Sequence, residues 1–221
     1  MCTSNLTDWL TAIGTCGAVI VAILGKTIRN WFLRPKIEIT CNQKEPCVSI
    51  NQTETTSSDS DKEMTLRIKL VNKGRTSALH SCLNIDSYYK TREDGKYYVN
   101  YFIPIQMKLS TSTSNAIAPI IEYYYNIALI QKYDDQTSDG GEGKAKQFYK
   151  LYLLTGGKTN MELGKGSFLI PIKFYASNTG VVVKIISIYW KGKDLSIDKG
   201  SFEYKVLSET EFEKLTKEKI C

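Results

Sequence analysis

MTLRIKLVN, Met64–Asn72, alternates apolar and polar residues almost without a break. Leu66, Ile68 and Leu70 share one face, and Arg67 and Lys69 share the other. A period of two is the signature of a strand with one buried face. Outward from this stretch the same grammar repeats. Lys36–Cys41 (KIEITC) precedes it, and Ser81–Tyr89, Val99–Leu109, Ile120–Ile130, Gln147–Leu154, Phe168–Ala176, Val181–Trp190 and Ser201–Leu207 follow. These segments are rich in β-branched and aromatic residues, including most of the 14 tyrosines, and polar turns separate them. About eight or nine short strands at turn-marked spacing predict a mainly β fold. The expected architecture is an antiparallel β-sandwich, Ig-like or barrel-like. No βαβ alternation occurs, which argues against a parallel sheet.

Three insertions interrupt the strands. Asn51–Lys62 is polar and acidic and reads as a mobile loop; Tyr133–Lys146 carries Gly140-Gly141, and Thr155–Gly166 carries Gly156-Gly157. Gly156-Gly157-Lys158-Thr159 lacks the spacing of a phosphate loop and reads as a hairpin turn. Ser208 and Glu211 have the spacing of a capping box, so residues 208–221 predict a short closing helix over one end of the sandwich. Phe212 and Leu215 form its apolar stripe.

Before the first strand the pattern is different. Leu10–Gly25 (LTAIGTCGAVIVAILG) has no charge and no proline. As a helix it would be ~24 Å long, and Trp9, Lys26 and Trp31 supply the flanking markers of a membrane interface. Pro35 ends the helix. Two other readings compete. A signal peptide would carry its positive charge ahead of the run, where this chain has only Asp8. A core helix of a soluble fold would not need those flanks. The division expected is an anchor and basic juxtamembrane segment over 1–35, a β domain over 36–207 and the helix over 208–221. Lys26, Arg29, Arg34 and Lys36 follow the run and no basic residue precedes it. The positive-inside rule then predicts a single-pass cell-membrane protein, N-terminus outside and C-terminal domain cytoplasmic. Gly14, Ala18 and Ala22 recur every fourth residue, a small-residue stripe that would let two spans approach closely as a homo-oligomer.

The formal charge is +6, shared evenly between residues 1–36 and the remainder. Acids of the remainder gather in loops and the last helix, which leaves Lys69, Lys73, Arg75, Lys184, Lys191 and Lys193 on or beside strands. Together with Lys26, Arg29, Arg34 and Lys36 they form the candidate surface for anionic phospholipid, each worth ~1 kcal/mol near a charged leaflet. Outward lysines of a half-exposed sheet would give the same pattern. No direct contact with nucleic acid is expected. One histidine, His80, reads as a surface or rim residue. Asp134-Asp135 and Asp59 with Asp61 read as solvated loop charges. The six cysteines form neither a zinc pattern nor a dense disulfide framework, although Cys41 and Cys47 are spaced for a bridge between neighbouring strands. No catalytic, metal or cofactor site is expected.

Several segments carry a family resemblance. Asp8-Trp9-Leu10 heads the anchor, Phe32–Lys36 (FLRPK) closes the basic stretch, KIEI opens the first strand, and Leu70–Ala78 (LVNKGRTSA) places Asn72-Lys73-Gly74-Arg75 between two strands. In these features the chain resembles a broad group of single-pass prokaryotic proteins with an N-terminal anchor and a β-rich domain. Within that group it is similar to the membrane effector encoded beside archaeal short Argonautes. The resemblance implies a basic domain that engages acidic phospholipids. It also implies an Argonaute-containing complex that senses invader nucleic acid, activates the effector and so collapses the membrane potential of the infected cell. A passive membrane-tethered module that recruits a cytoplasmic partner fits the same sequence features.

Overall fold

A 30-residue helix, α1 (Ser4–Leu33), leads into two antiparallel sheets. The computed structural model describes residues 4–53, 61–92, 94–107, 116–134, 147–154, 160–192 and 202–219 of the 221-residue chain. Among these are eleven strands: β1 (Ile37–Thr40), β2 (Val48–Thr53), β3 (Asp61–Asn72), β4 (Cys82–Thr91), β5 (Tyr97–Met107), β6 (Glu122–Asp134), β7 (Gln147–Leu153), β8 (Met161–Glu162), β9 (Gly166–Tyr175), β10 (Val182–Trp190) and β11 (Phe202–Leu207). A second helix, α2 (Glu209–Lys219), ends the described chain.

The first sheet runs β1-β3-β6-β7-β8, with β2 also on β3; the second runs β11-β10-β9-β4-β5. The fold is therefore mainly β with an apolar N-terminal helix and a short C-terminal one, as the alternation predicts. The two sheets remain separate, which settles the sandwich-or-barrel alternative against a closed barrel. The face of β3 expected to be apolar is fully buried: Leu66, Ile68 and Leu70 meet Phe168, Ile170, Ile172 and Phe174 of β9 and Ile186, Ile188 and Trp190 of β10 in one core. Burial of such side chains is worth ~1.5–3 kcal/mol each and is what holds the two layers together.

Three expectations need correction. The stretch read as a loop over Asn51–Lys62 is strand at both ends, since β2 runs to Thr53 and β3 starts at Asp61; residues 54–60 lie outside the described residues. Asn51, Gln52 and Thr53 defeat periodicity because a polar edge strand can satisfy its backbone by pairing with Glu63, Lys62 and Asp61. In the other two insertions, residues 135–146 and 155–159 fall outside the description, including Gly156-Gly157-Lys158-Thr159. Met161 and Glu162 form β8 against Leu153 and Tyr152. Finally, α2 does not cap an end of the sandwich. Phe212 and Leu215 pack on the outer face of the second sheet, over Leu169, Ile185, Leu207 and Tyr97. The second sheet carries apolar side chains on its outer face as well as on its core face, and α2 laid along the outer face shields them from water. The capping box itself forms: the Ser208 hydroxyl accepts from Glu211 N–H at 3.2 Å, and Ser208 N–H donates to the Glu211 carboxylate at 2.8 Å.

On the same outer face Lys173 bonds Asp86 at 2.5 Å. The Lys173 ammonium, by hydrogen bond first, holds the Asp86 carboxyl below its usual range. A depressed folded pKa stabilises the protein above the unfolded value of about 3.9, and that contribution is lost as the pH falls through the folded value. The pair is about one-third exposed, so its worth is about 0.5 kcal/mol. Asp86→Asn is expected to lower stability by about that amount at pH 7 and by nothing once both forms are protonated, as read by urea denaturation across pH.

Candidate functional site: the joint between helix and sandwich

Every described apolar side chain of the α1 run faces outward. Thr7–Gly25 has a mean hydropathy of 1.7 and none of it is buried. Trp9, Leu10, Ile13, Val21 and Ile23 are each more than 60% exposed. The sandwich interior is therefore not the partner of this helix, which removes the core-helix reading. The run also keeps its polar atoms to itself. The Thr11 hydroxyl donates to the Thr7 carbonyl at 2.8 Å, and the Thr15 hydroxyl donates to the Thr11 carbonyl at 2.9 Å, the back-bonding open to threonine within a helix. Gly14, Ala18 and Ala22 lie exposed on this helix, and a Cβ on Gly14 would meet nothing within 4 Å.

The last turn of α1 is fastened to the sandwich. Four segments converge there: residues 33–36, the β3–β4 connection, the segment before β6 and the β9–β10 turn. Asn72, fully buried at the end of β3, is the common partner of the first three, and the β9–β10 turn joins through Asn178, which donates to the Ser77 carbonyl at 2.8 Å. Its side-chain oxygen accepts from Lys36 N–H at 3.1 Å and from Gly74 N–H at 2.9 Å. Its amide nitrogen donates to the carbonyls of Thr76 at 2.7 Å and Ile117 at 3.1 Å. Its own carbonyl accepts from Ile120 N–H at 2.9 Å. One side chain thus spends its full hydrogen-bonding capacity on three chain segments.

Two neighbours complete the joint. The Thr76 hydroxyl donates to the Leu33 carbonyl, one of the helix-end carbonyls that lack an intrahelical partner. Gly74 lies flat against the exit of the helix: a Cβ there would sit 2.5 Å from Lys36 N, 2.6 Å from the Arg34 carbonyl oxygen and 2.6 Å from Pro35 Cα. All three are backbone atoms, so no side-chain rotation relieves the overlap. Lys73 N–H then donates to the Lys36 carbonyl at 2.8 Å, extending the β1–β3 pairing back to the helix. Beside the joint, Leu33, Arg34, Pro35, Thr76, Ser77 and Asn178 line a groove of about 660 Å³.

In the sequence Asn72 through Arg75 read as a turn, and their long-range role does not show. The only signal was a polar residue, Asn72, closing an otherwise clean alternation just before a glycine.

Among the described residues the basic side chains do not form a single surface. Arg34, Lys36 and Arg75 are exposed at the joint, with no ion-pair partner among the described residues. Lys69 and Lys73 are also near it, but are paired with Glu122 and Glu38. Lys184 is half-buried near the start of β10, whereas Lys191 follows the opposite end of that strand. Lys26 and Arg29 lie on the last turns of α1 with side chains outside the description, and Lys193 lies outside it altogether. His80 is exposed in the β3–β4 connection, in the left-handed region with φ 47°. Cys41 and Cys47 are free thiols, and burial followed by the proximity of Cys47 pushes Cys41 up to about 12, so it remains a neutral thiol at pH 7.

The fold and joint define a class: a two-sheet antiparallel sandwich joined by hydrogen bonds and close backbone packing to an apolar helix long enough to cross a membrane. No family model, curated protein or solved structure matches the chain.

Proposed function

We propose that the chain is a single-span membrane effector in which the sandwich controls the state of the span. In this reading α1 crosses the cell membrane, the sandwich lies on the cytoplasmic leaflet, and Arg34, Lys36 and Arg75 meet anionic headgroups. The observation that carries the proposal is the joint at Asn72, Gly74 and Thr76. A passive tether needs only a flexible linker, whose length sets its reach. A helix end held by two side-chain hydrogen bonds, one backbone hydrogen bond and a backbone contact that excludes even a methyl group is built to transmit orientation instead. A partner that gathers or turns the sandwiches would then gather or turn the spans, and the stripe at Gly14, Ala18 and Ala22 would let them close on one another. The resemblance set out above supplies the biological setting: a prokaryotic antiviral defence system, an Argonaute-containing complex as activator, and depolarisation as the output.

Membrane potential in cells expressing the protein with its activator tests this. Depolarisation is expected from the native chain and is expected to vanish in Gly14→Leu with Ala18→Leu, because two bulky side chains hold the spans apart. A Gly-Ser linker inserted between Leu33 and Arg34 should abolish it as well. Depolarisation that survives the double variant removes the clustering step. Full depolarisation with the inserted linker removes the coupling through the joint, and no depolarisation from the native chain with its activator replaces the effector with the passive recruiting module.

A further inference from the structure

The end of the sandwich that holds α1 also displays a group of apolar side chains. Leu79 is 45% exposed, Ile120 85%, Ile121 53% and Val181 56%. They lie on three separate connections, so no one strand's alternation places them there. The connections are tied to one another and to the joint. Ser177 N–H donates to the Leu79 carbonyl at 2.9 Å, Leu79 N–H donates to Asn178 Oδ1 at 3.0 Å, and Ile120 N–H donates to the Asn72 carbonyl at 2.9 Å. Ile120 has φ 69°, a conformation disfavoured for a β-branched residue, and its side chain is nevertheless turned to the outside. The opposite end differs: the β4–β5 hairpin there exposes Arg92, Asp94 and Lys96.

We infer that Leu79, Ile120, Ile121 and Val181 seat the sandwich in the interfacial layer of the bilayer that α1 crosses. This rests on the membrane reading of α1. The geometry follows from length. Thirty residues of helix span ~45 Å, which equals the thickness of a bilayer with its headgroups, ~40–45 Å. Leu33 therefore emerges at the headgroup level, and anything bonded directly to it is at the same level. Scattered single apolar residues on a surface need no explanation. Four of them around the exit of a membrane helix, beside the exposed Arg34, Lys36 and Arg75, match the apolar-plus-basic composition of an interfacial contact, whose apolar side chains reach ~5–10 Å into the headgroup boundary. The occupant is lipid, because the helix brings it there. The apolar part of the contact does not depend on headgroup charge, which separates it from the electrostatic contribution of Arg34, Lys36 and Arg75.

The test uses the full chain in phosphatidylcholine vesicles, with an environment-sensitive fluorescent amino acid replacing Ile121, Lys96 or Ile20 in turn and doxyl-labelled lipid as quencher. The probe at Ile121 is expected to shift to the blue and lose about half of its emission to shallow doxyl groups, consistent with interfacial depth. The probe at Lys96 is expected to change in neither respect, and the probe at Ile20 to be quenched by deep doxyl groups. A deep-quenched Ile20 probe with a solvent-exposed Ile121 probe overturns this inference and leaves the span intact. An unquenched Ile20 probe overturns both. A blue-shifted Ile121 probe that doxyl lipid does not quench means that protein, a second copy or a partner, covers this end, and also overturns it.

Discussion

Gly74→Ala is expected to open the joint while the sandwich stays folded. The added methyl group would overlap Lys36 N, the Arg34 carbonyl oxygen and Pro35 Cα, all backbone. Overpacking against atoms that cannot rotate away costs about 3 kcal/mol, which is roughly a hundredfold rise in the open population. The β sandwich does not share the cost, because the atoms overlapped belong to residues 34–36. Trypsin reports the change. The Lys36 carbonyl accepts from Lys73 N–H, so cleavage after Lys36 requires the joint to open, and cleavage of such a transiently opened form follows its population. Digestion of full-length protein in detergent should therefore proceed about a hundredfold faster at this bond. Gly180→Ala, where a Cβ meets nothing within 4 Å, should leave the rate unchanged. An unaltered rate in Gly74→Ala would remove the rigid joint and, with it, the main argument for an effector over a tether.

Phe168→Ala is expected to cost the most stability, about 3–5 kcal/mol, against a total of about 5–15 kcal/mol for an ordinary domain. Phe168 is fully buried, its ring centroid lies 6.3 Å from that of Tyr88, and Lys90 Nζ sits 5.4 Å over its face while donating to the Leu163 carbonyl. Removal of the ring leaves a cavity and strips that ammonium of its aromatic partner. Urea denaturation of the detergent-solubilised chain reads the loss as a lower midpoint with an unchanged slope. Ile103→Ala, at a position 87% exposed, should stay within about 0.5 kcal/mol. Similar midpoints for the two variants would mean that the layers do not meet at Phe168.

Both results bear on how the joint end and a buried two-layer core divide the work. The core fixes where the strand ends lie. The strand ends fix the joint, and the joint fixes how the end of α1 meets the sandwich. Lys69 and Lys73 show why charge counting misjudges such an end. In sequence they add to a basic surface, but Glu122 and Glu38 neutralise them in space. Arg34, Lys36 and Arg75 keep their charge exposed.

The sequence by itself determined what depends on neighbours close along the chain. Alternation in Met64–Asn72 established which face of β3 is buried, the capping box placed the start of α2, and the uncharged run through Gly25 announced an exposed apolar helix. Each of these follows from a repeat or a spacing of a few residues, which the backbone geometry of strand or helix converts directly into a face. The tertiary structure alone decided what depends on residues far apart. Asn72 reads locally as a turn residue, and becomes the hub of the joint only because Lys36 and Ile117 are brought to it across 36 and 45 positions. Gly74 looks like turn punctuation until the helix exit is laid against it. The polar β2 is a strand because β3 offers it a partner, and α2 lies along the second sheet because that sheet has apolar side chains on its outer face too. Hydrogen bonds and close contacts between distant segments leave no periodic trace, so only the folded chain reveals them.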